Sequence, residues 1–286
     1  MKRLLLSTAA ASLLLSPLAC DQLLAEKMMV GTVLSTPDVD VSLSAMAGFD
    51  AGTLPDGGFY EEDRLTLPGQ TAAYVFFGTR NGDQGTPEPI SNATVRIETQ
   101  NGNTLNLENK GPGTYGLMSS SGEDAGVKYQ SGTTYRFIAV QDGDSHVGSV
   151  EDAPAQERID TLHPPAGFVR HLANQELTLR RPAVAGGKER TIGFVTVIPL
   201  SSDGDKGEPT YSNMPTDPLG FLQLAALPAD WKRDTLTIPG SAFPQPQSNY
   251  LVVFQTVRSG GAESNNLFIG SALLVGTADV GMVRTQ

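Results

Sequence analysis

The sequence has 286 residues, enough for one large domain or two of ordinary size. Glycine (31) and proline (19) together exceed average usage, with aromatic residues at 7% and charged residues at 18%; this is a globular, turn-rich composition, too apolar for a disordered acidic tail and too poor in Leu, Ala and Lys runs for a helical bundle. With 31 acids against 20 bases the net charge is −11, which repels phosphate and excludes nucleic acid as a partner, since such binders need a basic stripe.

Met1-Lys2-Arg3 is a short basic start, and Leu4 to Leu15 follows as an apolar run of about a dozen residues, the length of a signal-peptide core. A membrane-spanning helix needs about 20. The longest later apolar block, Tyr250 to Val257, contains Gln255, so no span is expected in the mature chain. The run ends at Ser16-Pro17-Leu18-Ala19-Cys20, and Cys20 is the only cysteine. A small residue followed by cysteine at this distance resembles the lipobox of bacterial lipoproteins, although Pro17 stands where an aliphatic residue is usual. The resemblance implies that residues 1–19 are a signal peptide, that the Cys20 sulfur is diacylated, and that its new amine is acylated. Two or more acyl chains make a durable anchor where one holds only reversibly. Asp21, directly after, resembles the inner-membrane retention signal of such proteins, which points to the periplasmic face of that membrane, with the outer membrane as the other destination. In the other reading Cys20 is incidental to a plain secretion signal, which leaves a lone thiol in an oxidising compartment.

Residues 20–27 read as a lipidated tether. From Met28 onward short apolar–polar alternations recur, bounded by Gly, Asn, Asp and Pro, the period-2 signal of half-buried strands. In chain order these are Val95/Ile97, Leu105/Leu107, Tyr115/Leu117, Leu177/Leu179 and Leu236/Ile238. Asn81-Gly82, Asn101-Gly102, Asp142-Gly143, Asp203-Gly204 and Gly260-Gly261 stand between them as turn formers, because glycine reaches positive φ without strain. Asn101-Gly102, between Thr94–Thr99 and Thr104–Glu108, is the clearest hairpin. Only Leu23–Met29 and Leu219–Lys232 have any helical character, and Pro228 interrupts the second.

Tyr129-Gln130-Ser131-Gly132-Thr133-Thr134-Tyr135 and the strand after it resemble the entry to strand F of a fibronectin type III or immunoglobulin-like domain. There a tyrosine hydroxyl folds back onto the preceding corner. Tyr135 would take that role, and Tyr250, in Pro246-Gln247-Ser248-Asn249-Tyr250, repeats it 115 residues later, about one sandwich plus a linker. The expected fold class is all-β, with two antiparallel sandwiches of this type in tandem. The first covers 28–155, a linker covers 156–172, and the second covers 173–286.

Motifs for chemistry are sparse. His146, His163 and His171 form no His-Glu-x-x-His pattern, and two of them fall in the proposed linker, so they read as exposed loop residues. No serine has the Gly-x-Ser-x-Gly setting of a nucleophile elbow, and no phosphate loop or dinucleotide fingerprint occurs. Asp203-Gly204-Asp205-Lys206-Gly207-Glu208 resembles the start of a calcium loop, but Met214 stands where the bidentate glutamate belongs. Trp231, the only tryptophan, reads as a plug between sheets or domains in preference to an exposed binding anchor. No cofactor, metal or catalytic residue is expected.

In the C-terminal half, Pro209-Thr210-Tyr211-Ser212-Asn213, Asp230-Trp231-Lys232, Thr237-Ile238-Pro239-Gly240 and Asn266-Leu267-Phe268-Ile269-Gly270-Ser271-Ala272 are similar to stretches of uncharacterised myxobacterial lipoproteins. That resemblance implies an envelope location and no mechanism. The expected function is a lipid-anchored, non-catalytic binding or spacer module of the bacterial cell envelope. Its partners would be the bilayer, through acylated Cys20, and envelope proteins or polysaccharide. The alternatives are a component of a surface adhesion or envelope-assembly complex associating through an edge strand, and then a hydrolytic or carbohydrate-active enzyme.

Overall fold

Alternation of inward and outward side chains builds nearly every element of the chain. The computed structural model describes residues 17–42, 64–81, 86–120, 128–184, 186, 189–201, 205–215, 220, 224 and 231–286. A short helix, α1 (Pro17–Leu24), precedes the strands β1 (Lys27–Thr36), β2 (Val39–Ser42), β3 (Arg64–Leu67), β4 (Gln70–Thr79), β5 (Glu88–Pro89), β6 (Thr94–Thr99), β7 (Thr104–Asn106), β8 (Glu108–Gly111) and β9 (Thr114–Ser120). There follow β10 (Tyr135–Gln141), β11 (Asp144–Val150), β12 (Val169–His171), β13 (Leu177–Arg180), β14 (Ile192–Leu200), β15 (Tyr211–Ser212), β16 (Thr235–Ile238), β17 (Asn249–Ala262) and β18 (Ala272–Thr285). The protein is all-β. Leu23–Met29, read as helical, divides between the end of α1 and the start of β1. Most of Leu219–Lys232 lies outside the described residues.

Fourteen strands join one sheet that curls into a near-barrel, not clearly two sandwiches. The first half closes because β7 and β8 are two ends of one bent run: β7 pairs with β6 and β8 pairs with β9, while buried Leu107 between them donates its N–H to the Val95 carbonyl at 2.9 Å. Going round, β6, β10, β11, β17, β18, β1, β4 and β9 complete the ring. Met29, Phe77, Ile97, Tyr135, Phe137 and Val275 fill it. Gly31 lies between the inward positions Met29 and Val33, and a Cβ there would stand 2.8 Å from the Phe137 ring, so glycine makes room for the aromatic core. Asp142 and Gly143, both at positive φ (52° and 92°), close the β10–β11 hairpin, and Gly102, at φ 85°, closes β6–β7.

The hairpin of β17 and β18, each of 14 residues, joins the two halves. Asn249–Val257 of β17 pair with β14, whereas Gly261 and Ala262 pair with β11. At its start β18 runs parallel to β1, and at its end parallel to β12. Gly260-Gly261, expected to form a turn, therefore lies inside a strand. The reason is steric: a Cβ on Gly260 would overlap the Ser149 carbonyl of the crossing β11. This is the close backbone approach that glycine in a strand also signals.

Around the far half of the hairpin a second core forms. One face carries Val195, Val197, Tyr250, Val252 and Phe254, covered by the β13–β16 pair through Leu179 and Ile238. The other face carries Leu251, Val253 and Met282, covered by Leu67 and Val39 of the β2–β3 hairpin. Both faces of β18 are buried, as expected of a central strand with an apolar sequence.

Candidate functional site

Cys20 lies in α1 at one end of the ring, and Asp21 beside it is exposed. From Gln22 the chain is held. The Gln22 carbonyl accepts from Ile269 N–H at 3.1 Å, and its side-chain amide donates to the Ser264 carbonyl at 3.3 Å. One Arg80 Nη donates to the Leu23 carbonyl at 3.1 Å, and the guanidinium lies 3.8 Å from the Phe268 ring centre. Two residues of extended chain reach about 7 Å, so the anchoring position cannot stray far from this end of the ring.

A cleft of about 380 Å³ opens between the halves, lined among others by Ser149, Glu151, Glu189, Arg190, Lys232 and Arg258. Lys232 donates to Glu189, and this bond holds the Glu189 carboxyl below the usual carboxylate range. Arg190 pairs with Asp234 at 2.7 Å and Arg258 with Asp152 at 3.2 Å. With its cations engaged by carboxylates, the cleft presents both signs of charge and favours neutral hydroxyl-rich groups over a strongly anionic one. Trp231 is half-buried near this cleft, with its ring 5.3 Å from that of Phe194.

The expected linker is anchored along its length. Buried Arg181 makes a bidentate pair with Glu157, both contacts at 2.7 Å, and also donates to Thr191. Buried Asp279 of β18 accepts the Ile159 N–H at 2.7 Å and His163 Nε2 at 2.8 Å. Beside these bonds Ile159 and Leu162 sink into the second core. A His–Asp pair invites a catalytic reading, but here the carboxylate also secures a buried backbone N–H, which is structural work. The histidines are thus not the exposed loop residues the sequence suggested: His146 is buried in β11 under Phe77, His163 is half-buried on Asp279, and His171 ends β12 against Phe243. The reason is tertiary, since acceptors 116 and 120 residues away in the chain draw His163 and His146 inward. Burial lowers the His146 pKa, opposed by its bond to the Asn266 carbonyl.

The two corner tyrosines are buried, and both hydroxyls accept a backbone N–H from five residues upstream. Tyr135 takes that of Gln130 at 2.8 Å and Tyr250 that of Gln245 at 3.1 Å. Sequence reasoning missed a third tyrosine of this kind: Tyr115 accepts from Ala93 N–H at 3.1 Å and donates to the Ile90 carbonyl at 2.8 Å. Its partners lie more than 20 residues back, so no local pattern announces it. Burial pushes the phenols of Tyr129 and Tyr135 up. Asp203 and Gly204 of the calcium-like loop lie outside the described residues. Among the described residues no group of three or more His, Cys, Asp or Glu could hold a metal ion, and no helix is long and apolar enough to cross a membrane. No protein-family model matches the chain, and no curated protein is similar to it.

Proposed function

We propose that this chain is a lipid-anchored cell-envelope protein, held through acylated Cys20, whose two lobes are of the fibronectin type III or immunoglobulin-like type and act as a non-catalytic binding or spacer module. The observation that carries this is the position of the lone cysteine. It follows an apolar segment of signal-peptide length and precedes by two residues the point where Gln22 is bonded to the β17–β18 connection. An anchor there transmits directly to a folded body with little slack. The equivalent hydroxyl bonds of Tyr135 and Tyr250 support one sandwich-type corner per lobe. Exposed Asp21, next to the anchor, is open to a sorting receptor and favours the periplasmic face of the inner membrane. The charge-balanced cleft suits a neutral polysaccharide segment or a polar protein loop.

Metabolic labelling with a radiolabelled fatty acid tests the anchor. The wild-type chain is expected to take the label and to enter the detergent phase on partition, and Cys20→Ala is expected to do neither. Equal labelling of the two chains would overturn the reading.

A further inference from the structure

The end of the ring that carries Cys20 is more apolar on its outside than a solvated strand end requires. Leu23 is 47% exposed, Leu24 82% and Ile269 43%, and the backbone bond from Ile269 to Gln22 brings the three together. Phe268, half-buried, lies beside them under the Arg80 guanidinium. The patch is held on rigid backbone: Phe268 N–H donates to the Lys27 carbonyl at 2.7 Å, and Arg80 N–H to the Glu26 carbonyl at 2.7 Å. We infer that this end is a bilayer-contacting surface, in which Leu23, Leu24 and Ile269 enter the headgroup–acyl boundary while the Arg80 stem lies along the patch and its charge stays among the headgroups.

The bilayer is the occupant because of where the anchor sits, and the inference rests on the anchoring reading above. Acyl chains on Cys20 bring Gln22 to within about 7 Å of the membrane surface, and the exposed leucines follow directly. Charge argues for a zwitterionic surface. Lys27 and Arg80 are offset by exposed Asp21, Glu26 and Asp144 at the same end, so attraction to anionic lipid is not the driving force. The opposite end offers an internal comparison. Leu172, 59% exposed, follows β12, which pairs with the last residues of β18; the length of β18 puts it about 40 Å from Ile269 at roughly 3.3 Å per residue.

The test uses the full chain, expressed in a lipoprotein-processing bacterium and reconstituted into phosphatidylcholine vesicles brominated on the acyl chains. Single tryptophans are placed by Leu24→Trp, Ile269→Trp and Leu172→Trp in a Trp231→Phe background. Emission at positions 24 and 269 is expected to shift to the blue and fall about twofold or more by bromine contact, with no change at 172. Unquenched emission at 24 and 269 in an acylated protein overturns the inference and leaves the anchor intact. Shielding without quenching, together with a doubled mass in detergent, places a second copy on the patch and also overturns it. Mass measurement of the N-terminal peptide reports acylation separately. If Cys20 is unmodified the anchoring reading falls, and the same variants mixed with vesicles then decide the surface alone: quenching at 24 and 269 supports it, and none overturns it.

Discussion

The lobe next to the anchor closes round Met29, Phe77, Ile97 and Phe137, and the polar side chains it buries are hydroxyls and His146. The far lobe buries Arg181 and Asp279 as well, and uses them to hold the segment around Ile159 to Leu162 against its sheet. The difference follows from closure. A ring satisfies its own strand edges, so apolar filling suffices. The far sheet is covered in part by a connecting segment that contributes few large apolar side chains, and charge-assisted bonds complete its attachment.

The sharpest way to break this contrast is Glu157→Ala. It leaves Arg181, whose side chain is fully buried, without its carboxylate, and a cost of about 3–5 kcal/mol in urea unfolding is expected. Adding Arg181→Met should recover part of that loss, because removing the second charge removes the unpaired burial. A cost for Glu157→Ala below about 1 kcal/mol would show that the clamp contributes no more than a surface pair. The next effect is smaller and alike in the two lobes. Tyr135→Phe and Tyr250→Phe each leave one backbone N–H unpaired, at about 1–2 kcal/mol apiece by thermal or chemical unfolding. Tyr115→Phe should exceed either, since its hydroxyl serves two backbone groups.

The smallest expected effect concerns pH and belongs to the ring alone. Burial lowers the His146 pKa in the fold, so below about pH 6.5 the unfolded chain takes up a proton that the folded chain resists. The His146 contribution is fully present above that pH and falls away as pH drops toward the lowered folded value. Unfolding free energies of His146→Gln and wild type, compared from pH 8 to 5, should diverge on the acid side, with the wild type losing more. Parallel curves would show that His146 titrates alike in both states.

Much of the β character was legible because alternation is local. Val95/Ile97, Leu177/Leu179 and Leu236/Ile238 each mark an observed strand, and Asn101-Gly102 and Asp142-Gly143 mark observed turns. Partners were not legible. β13 pairs with β16, more than 50 residues away, and β1 pairs in parallel with β18 from the opposite end of the chain. Gly260-Gly261 shows the limit clearly, since two glycines mean a turn or a close crossing and only the position of β11 decides between them. At the anchor end, Cys20 and Asp21 stood out by pattern, whereas the apolar neighbourhood of Ile269 is assembled from residues about 250 apart.

By itself the sequence determined the strand content, the tight turns, the two tyrosines poised to bond backward and the cysteine behind an apolar leader, because each depends on residues within one turn or one strand. Tertiary structure decided that both halves share one long hairpin, that the supposed linker is clamped by Arg181 and Asp279, and that Leu24 and Ile269 meet beside Cys20. Those outcomes depend on which backbones and side chains pack together across the chain, and alternation along a strand specifies its faces without specifying its neighbours.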